Sequence, residues 1–189
     1  MFQAQARDII VRALSRRSTQ GSLQIGSLRF PCALGRNGRG FQKREGDGLT
    51  PIGRWPILNV YFRADTRHPL NIPPLIKLYP TRPIQQSDGW CDQPGDANYN
   101  RLVKHPYPAS AEQLWRNDRL YDVIVVLGHN QQPRVQGGGS AIFMHIAEQA
   151  QNGDDCDLKP TAGCVALRRR DLQIILSHCH HSTHLCVMP

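Results

Sequence analysis

The segment Tyr121-Asp-Val-Ile-Val-Val-Leu127 gives the clearest secondary-structure signal in the chain. It is rich in β-branched residues, and its length suits a strand rather than a helix. Because its apolar residues follow one another without alternation, the strand is expected to be covered on both faces. The segment therefore predicts a central strand that other elements cover and flank.

Other short apolar runs predict further strands on both sides of this one. Before it, Ser22–Leu34 predicts a β-hairpin with a turn at Gly26, and Pro56–Phe62 predicts a strand that follows a loop rich in turn residues. After it, Ala141–His145 and His184–Met188 predict two short strands. Strands outnumber helices, so the fold is predicted to be β-rich.

Three short helices are also expected. Met1–Gln20 has apolar residues at helical spacing with arginines on the other face, which predicts an N-terminal amphipathic helix or extension before a domain of residues 21–189. This helix would either dock on the domain or lie on a membrane surface. A capping box that starts at Ser110 predicts a helix over Ala111–Arg116, and a last helix is predicted over Asp171–His178.

Residues 63–108 are dominated by prolines and polar residues. This composition predicts irregular connections with at most one strand, near Leu75–Tyr79. Long connections of this kind often carry functional residues.

Composition limits the class of protein. The chain has 189 residues and 40% apolar content, which is typical of one globular domain, and its formal net charge of +8 favours anionic partners. No apolar run is long enough to predict a transmembrane helix, and Met1–Gln20 shows no secretory signal. Six cysteines without paired spacing leave the redox compartment open.

Cys164 and His145 form the candidate catalytic pair. A cysteine attacks acyl carbon once a base has taken its proton, and a histidine is a suitable base because its ordinary pKa lies near neutral pH. The backbone N–H groups of Gly163 and Cys164 are candidates to stabilise the oxyanion of a tetrahedral intermediate. The alternative is that Cys164 is a small buried apolar residue and His145 a structural one.

Three separated segments share a pattern of residues and spacing. Lys43-x-Glu-Gly-Asp-Gly-x-Thr-Pro-x-Gly-x-Trp55 comes first, His145 ends a predicted strand, and Thr161-Ala-Gly-Cys164 brings the cysteine 19 residues after that histidine. Together they resemble the L,D-transpeptidase catalytic domain (YkuD-like) family of peptidoglycan enzymes, in a branch with Thr-Ala-Gly-Cys at the nucleophile. The resemblance covers roughly residues 21–189.

The resemblance implies a mainly β fold, similar to a β-sandwich, with a few short helices. It implies that Cys164 attacks the amide between the L-centre of a diamino acid and the following D-alanine, with His145 as base and a backbone carbonyl orienting the ring. The acyl group would pass to an amine of a second peptidoglycan stem peptide, or to water in an L,D-carboxypeptidase or amidase. No metal or cofactor and no nucleic acid is implied. The implied location is the cell envelope or periplasm, and the cytoplasm stays open because no export signal is visible.

The chain departs from the common family pattern at two positions beside the nucleophile. Ala162 and Ala166 stand where many members carry a histidine and an arginine or asparagine, so neither side chain can donate a hydrogen bond here. The oxyanion would then depend on backbone amides, and another cation must bind the substrate carboxylate. Thr161, Arg101 and Arg168 are the candidate substrate-binding residues.

The sequence also offers three alternatives to a Cys164–His145 enzyme. His178-Cys-His-His181 with His184 and Cys186 contains zinc-ligand types, but the spacing matches no standard finger and adjacent strand residues point to opposite faces. The charge of +8 and the run of arginines from Arg168 suggest a nucleic-acid binder, although no reading motif accompanies them. His129 is an alternative base.

Overall fold

One large β-sheet that closes on itself forms the framework of the protein. The computed structural model describes residues 7–65, 78–149 and 157–189. In chain order these residues form the strands β1 (Ile9–Ala13), β2 (Gln20–Ile25), β3 (Leu28–Ala33), β4 (Arg39–Gly40), β5 (Thr50–Pro51), β6 (Gly53–Phe62), β7 (Thr81–Pro83), β8 (Asp88–Cys91), β9 (Leu102–Lys104), β10 (Ala111–Gln113), β11 (Val123–Leu127), β12 (Phe143–Ile146), β13 (Val165–Leu167) and β14 (His184–Val187), and the helix α1 (Arg169–Ser177).

The strand order of the main sheet explains its closure. The order is β11-β12-β13-β3-β2-β1-β14-β6-β7, and β11 also pairs with β6, so eight strands form a ring and β7 lies beside β6. A three-stranded sheet, β10-β8-β9, and a two-stranded sheet, β4-β5, accompany it. The predicted mainly β fold is confirmed.

The unbroken apolar run of β11 reflects two separate cores. Val123, Val125 and Leu127 belong to the main core, whereas Ile124 and Val126 belong to a second core on the other face of the strand. All five side chains are buried, and full burial of each contributes about 1.5–3 kcal/mol. The prediction of a central strand covered on both faces is confirmed.

Several other predicted elements are also confirmed. Residues 20–33 form the β2–β3 hairpin, whose turn contains Gly26 at φ +56°, a conformation that glycine adopts without strain. The predicted strands near residues 56–62, 141–145 and 184–188 correspond to β6, β12 and β14. α1 begins at Arg169, two residues before the predicted start, and buries Leu172, Ile175 and Leu176 in the main core.

The predicted N-terminal amphipathic helix is wrong for the residues described. Ile9–Ala13 is a strand that pairs antiparallel with β2 and parallel with β14. Ile9 and Val11 are fully buried while Arg12 is exposed, which is a period of two rather than a helical period. A run this short fits the helical period and the strand period equally well. Its β-branched residues and the backbone hydrogen bonds that β2 and β14 offer favour the strand. The sheet therefore includes residues of the segment predicted to precede the 21–189 domain, and residues 1–6 lie outside the described ranges.

The helix predicted over Ala111–Arg116 is also wrong. Ala111–Gln113 is strand β10, and it pairs antiparallel with β8. A six-residue helix gains little from its own hydrogen bonds, whereas the edge of β8 offers a complete ladder. The preceding region holds β7, β8 and β9 rather than at most one strand, and most of the strand predicted near Leu75–Tyr79 lies outside the described residues.

In the described ranges, no helix has both the length and the apolar character needed to cross a membrane.

Candidate active site

Two neighbouring parallel strands bring His145 and Cys164 to the same face of the sheet. His145 of β12 pairs with Ala166 of β13, and Met144 pairs with Val165. Met144 and Val165 face the main core, so the alternation of side chains turns His145 and Cys164 to the other side. Both residues line one cavity of about 510 Å³.

The ring of His145 is held in one tautomer. Its Nδ1 lies 2.8 Å from the backbone oxygen of Ile146. A carbonyl oxygen only accepts hydrogen bonds, so Nδ1 carries the hydrogen and Nε2 keeps the lone pair. The backbone carbonyl that orients the ring is therefore that of Ile146. The ring of Tyr121 packs edge-on against the imidazole with centroids 5.1 Å apart.

Burial keeps His145 neutral. The imidazole is 6% exposed, and desolvation lowers its pKa from 6.5 to about 4. The hydrogen bond to Ile146 opposes this shift, and the nearby Arg116 guanidinium adds to it. At neutral pH the ring is thus ready to accept a proton.

The Cys164 thiol is also uncharged. Its Sγ donates a hydrogen bond to the Ala141 carbonyl over 3.2 Å and accepts one from the Phe143 N–H over 3.4 Å. Burial and, to a smaller extent, the carboxylate of Glu112 raise the pKa of the thiol to about 12, against the opposing effects of the Phe143 N–H and the charge of Lys43. The resting site therefore holds a thiol and an imidazole rather than an ion pair.

The turn before Cys164 uses one of the predicted oxyanion donors internally. The N–H of Gly163 donates to Thr161 Oγ1 over 3.1 Å, and Thr161 Oγ1 donates to the carbonyl of Cys164 over 2.7 Å. Thr161 lines the cavity, but its hydroxyl braces the loop. A contribution of the Gly163 N–H to an oxyanion site therefore requires that this hydrogen bond is released.

The backbone conformation at position 163 requires glycine. Its φ is +149°, an angle that L-residues with a side chain rarely adopt. A Cβ at this position would also lie 2.9 Å from the carbonyl oxygen of Leu49. Glycine at this position thus lets the nucleophile loop pack closely on the Lys43–Trp55 segment.

The Lys43–Trp55 segment brings charged groups to the cavity. Asp47 accepts hydrogen bonds from Lys43 Nζ (2.5 Å), the N–H of Arg44 (2.7 Å) and the N–H of Leu49 (2.9 Å). Burial alone would raise the pKa of Asp47, but these hydrogen bonds lower it overall. Glu45 accepts a hydrogen bond from the hydroxyl of Tyr99. The two carboxylates therefore fix the loop.

The cations of the cavity differ from those predicted for substrate binding. Arg101 is exposed and does not line the cavity, and Arg168 lines a second cavity of about 320 Å³, where its Nε lies 2.6 Å from Asp171 Oδ2. The basic side chains that line the cavity of Cys164 are those of Arg36, Lys43, Arg116 and Lys159. The sequence contained one signal for this set, since Lys43 begins the first of the three segments that resemble the L,D-transpeptidase pattern.

A wall of the cavity comes from the region after β7, where the sequence predicted irregular connections up to residue 108 and then a helix over Ala111–Arg116. Asp92, Glu112 and Arg116 line this side. The hydroxyl of Tyr121 donates to Glu112 Oε1 over 2.6 Å, and burial raises the pKa of Glu112. These residues were missed because pairing between β8 and β10 places them, and that pairing was not predicted.

Hydrogen bonds of the Asn100 side chain connect this wall to the loop that contacts the nucleophile. Its Oδ1 accepts hydrogen bonds from Trp90 Nε1 (2.8 Å) and from the N–H of Ala141 (3.2 Å). Its Nδ2 donates to the carbonyls of His129 (3.3 Å) and Asn130 (2.9 Å). Ala141 has φ +52°, and its carbonyl contacts Cys164 Sγ, so the Asn100 carboxamide indirectly positions the thiol.

The alternatives to the Cys164 site find little support in the geometry. His129 packs against Trp55, its Nε2 lies 2.9 Å from the carbonyl oxygen of Gly138, and it does not line the cavity. Cys179 Sγ contacts the carbonyl of Ile175, whereas Cys186 Sγ contacts Asp8. Across residues 7–65, 78–149 and 157–189, no three His, Cys, Asp or Glu residues are grouped to hold a metal ion.

Comparison with known proteins agrees with the fold. The family model of the L,D-transpeptidase catalytic domain (YkuD) matches residues 9–187, from β1 to β14. No curated protein and no solved structure matches the chain. Because the family match covers nearly the whole chain, the protein belongs to the L,D-transpeptidase catalytic domain (YkuD) family.

Proposed function

We propose that the protein is a cysteine acyltransferase that acts on peptidoglycan stem peptides, with Cys164 as nucleophile and His145 as general base. The orientation of His145 carries the proposal. The Ile146 carbonyl holds Nδ1–H, which leaves Nε2 as the ring atom able to take a proton in the cavity that also contains Cys164. Family membership supports the substrate class, since YkuD enzymes typically act on peptidoglycan through a cysteine.

The first half of the reaction forms a thioester. The thiol turns away from the Ala141 carbonyl, Sγ bonds to the carbonyl carbon of the amide before D-alanine, and His145 Nε2 takes the thiol proton. When the tetrahedral intermediate collapses, the C–N bond breaks and the imidazolium protonates the departing amine. Because both groups start neutral, proton transfer accompanies the attack instead of preceding it.

The second half returns the protein to its starting state. An amine of a second stem peptide attacks the thioester carbon, His145 takes the proton of that amine, and the C–S bond breaks as Sγ is protonated. The products are a cross-linked peptide and the free thiol. Water in place of the amine would give a trimmed stem.

Release of D-alanine from a stem tetrapeptide tests the proposal. We expect the wild type to release D-alanine, Cys164→Ala to release none, and His145→Gln to react about 10²- to 10⁴-fold more slowly. His129→Gln is the matched control, because His129 is a buried histidine outside the cavity, and it should stay within a few-fold of wild type. Equal losses for the two histidine variants, or release by Cys164→Ala, would contradict the assignment.

The same assay separates transfer from hydrolysis. With an amine acceptor present, mass spectrometry of the products should show the cross-linked peptide in addition to any trimmed stem. We propose transfer as the main outcome, and a product mixture that contains only trimmed stem at high acceptor concentration would replace it with an L,D-carboxypeptidase.

We also infer that the protein acts in the cell envelope, because peptidoglycan stem peptides lie there. Family members act on the cell wall, which supports this location. Fractionation of cells that produce the protein should recover it with the envelope rather than with the cytosol.

A further inference from the structure

The side chain of Lys43 lies directly beside the nucleophile loop. A Cβ on Gly139 would lie 2.6 Å from Lys43 Cγ, and a Cβ on Gly163 would lie 3.5 Å from Lys43 Cε. Both glycines have positive φ values of +92° and +149°. Glycine at these two positions therefore leaves room for the Lys43 side chain, which extends to the residue before Cys164.

The ammonium group of Lys43 is buried but not saturated. The side chain is only 4% exposed, and it also lines the cavity of Cys164. Within the described part of the chain, two acceptors take its hydrogens, namely Asp47 Oδ1 at 2.5 Å and the carbonyl of Arg44 at 2.7 Å. An ammonium group has three donors, so one remains for a ligand.

A second polar group in the same cavity lacks a partner. Ser140 is 7% exposed, and its Oγ has no described partner at ordinary hydrogen-bond distance, although it lies near enough to the Tyr99 hydroxyl to oppose the rise in the pKa of that phenol. Buried hydroxyl groups are normally hydrogen-bonded, because an unpaired one costs about 1–3 kcal/mol. Ser140 immediately follows Gly139, which packs on Lys43, so the hydroxyl and the ammonium belong to the same part of the site.

The remaining donors in this part of the site indicate the kind of ligand. Cations and carboxylates both line the cavity, among them Glu45 on the same segment as Lys43 and Arg116 at 3.8 Å from Glu112, so net charge does not select the ligand. The third N–H of Lys43 and the hydroxyl of Ser140 can both donate hydrogen bonds, and two donors in the same part of the site suit an acceptor such as a carboxylate. Ala162 and Ala166 offer no side-chain donor that could take this role.

We propose that Lys43 and Ser140 form a carboxylate-binding subsite that holds a carboxylate of the stem peptide next to Cys164. The third N–H of the ammonium and the hydroxyl of Ser140 each donate to the carboxylate. The subsite deepens the proposed function and rests on it for the identity of the ligand. The carboxylate belongs either to the terminal D-alanine or to the side chain of the diamino acid, and binding data distinguish these two sources.

Binding to the Cys164→Ala protein tests the subsite without turnover. Isothermal titration compares three probes: a stem tetrapeptide, its C-terminal amide, and the tetrapeptide with the side-chain carboxylate of its diamino acid amidated. We expect one of the two amides to bind about 10- to 100-fold more weakly than the acid, as for loss of a charge-assisted hydrogen bond. The weaker amide identifies which carboxylate the subsite holds.

Variants on the Cys164→Ala background assign that preference to residues. Lys43→Met should bring the ratio of the affinities for the acid and for the weaker-binding amide close to one. Ser140→Ala should lower this affinity ratio several-fold. Lys159→Met is the matched control, because Lys159 lines the same cavity but is 42% exposed and paired with Glu148, and it should leave the ratio within about twofold. If Lys43→Met does not fold, Ser140→Ala still tests the subsite.

The subsite and the proposed function can fail separately. An unchanged ratio in Lys43→Met, no preference for the acid, or no binding of any probe overturns the subsite, even where Cys164 of the wild type forms a thioester. A ratio that collapses in Lys43→Met supports the subsite, even where the wild type releases no D-alanine.

Discussion

At the scale of single residues, burial sets the protonation states of the candidate catalytic pair. The pKa of His145 falls to about 4 and that of Cys164 rises to about 12, each mainly through desolvation. A preformed thiolate would be costly beside the carboxylate of Glu112. The site is therefore suited to a reaction in which substrate binding and proton transfer occur together.

The pH dependence of catalysis should reflect the lowered pKa of His145. The ring must be neutral to take a proton, and with a pKa of about 4 it stays neutral well below pH 6.5. We expect kcat/KM for D-alanine release at pH 5 to stay within about twofold of its value at pH 7, whereas an unshifted histidine would be almost fully protonated there. An acid limb centred near pH 6.5 would contradict this description of the site.

A stability control must accompany that profile. The unfolded chain takes up a proton on His145 below about pH 6.5, whereas the folded protein does so only near pH 4. The free energy of unfolding therefore decreases as the pH falls through this window. Circular dichroism at each pH distinguishes acid unfolding from loss of the base.

The alanines beside the nucleophile differ in how far they tolerate the residues common in the family. Ala166 is 1% exposed and packs with Ala33, Ala147 and Leu158, so Ala166→Arg should lower the free energy of unfolding by at least about 1–3 kcal/mol. Ala162 is exposed, so Ala162→His should change it by less than about 0.5 kcal/mol. Urea denaturation measures the free energy of unfolding of both variants. Equal losses would show that packing around Ala166 does not determine which side chains this position tolerates.

At the scale of elements, the three-stranded sheet β10-β8-β9 forms one wall of the cavity, and Asn100 connects that wall to the loop before β12. Asn100 is 2% exposed and uses its carboxamide for four hydrogen bonds. This connection couples an irregular part of the sequence to the position of Cys164.

Asn100→Asp should separate the positioning role from a purely structural one. The change removes the two hydrogen bonds that Nδ2 donates to His129 and Asn130 and buries a carboxylate. We expect a loss of about 2–3 kcal/mol in the free energy of unfolding. We also expect a lower kcat with a smaller change in KM, because Ala141 would hold the thiol less well.

A matched asparagine provides the control. Asn98 is partly exposed and its Nδ2 bonds to the hydroxyl of Tyr107 outside the cavity, so Asn98→Ala should change kcat by less than about twofold. Unchanged kcat in a folded Asn100→Asp protein would restrict Asn100 to a structural role.

The elements that could be predicted from sequence are those whose pattern fits only one structure. The unbroken run of β11 and the helical spacing of α1 fit one structure each, and both are present. β1 and β10 were predicted as helices because a few residues fit both periods, and partner strands distant in sequence decided the outcome.

The candidate site was predictable to a similar extent. The spacing of His145 and Cys164 within shared motifs identified the pair that lines the cavity. The Ile146 carbonyl, the walls around Glu112 and the approach of Lys43 depend on strand register and on loop packing. No local pattern encodes these features.

At the scale of the whole molecule, a buried carboxylate links three strands that are distant from one another in the sequence. Asp8, which precedes β1, accepts hydrogen bonds from Arg54 Nε (2.9 Å) and Nη2 (3.1 Å) on β6 and from the N–H of His184 (3.3 Å) on β14. The Asp8 side chain is fully buried. It lies where β1, β6 and β14 meet in the closed sheet.

Loss of this carboxylate should therefore destabilise the whole fold. Asp8→Ala leaves Arg54 without its ion pair to Asp8, and we expect the free energy of unfolding to fall by about 3 kcal/mol in urea denaturation. Asp157→Ala, which removes an exposed carboxylate bonded to Gln20, should cost less than about 1 kcal/mol. Similar losses for both variants would show that the buried pair does not stabilise the closure of the sheet.

The central claim is that Cys164 is an acyl-accepting nucleophile. Intact-protein mass spectrometry after incubation with a carbapenem tests it most directly, because the resemblance to L,D-transpeptidases implies that carbapenem-type β-lactams acylate the nucleophile. We predict that the wild type gains the mass of one carbapenem, that Cys164→Ala gains none, and that Cys91→Ala, which lacks another buried thiol, behaves as wild type. An adduct on Cys164→Ala, or no adduct on the folded wild type, would contradict the claim.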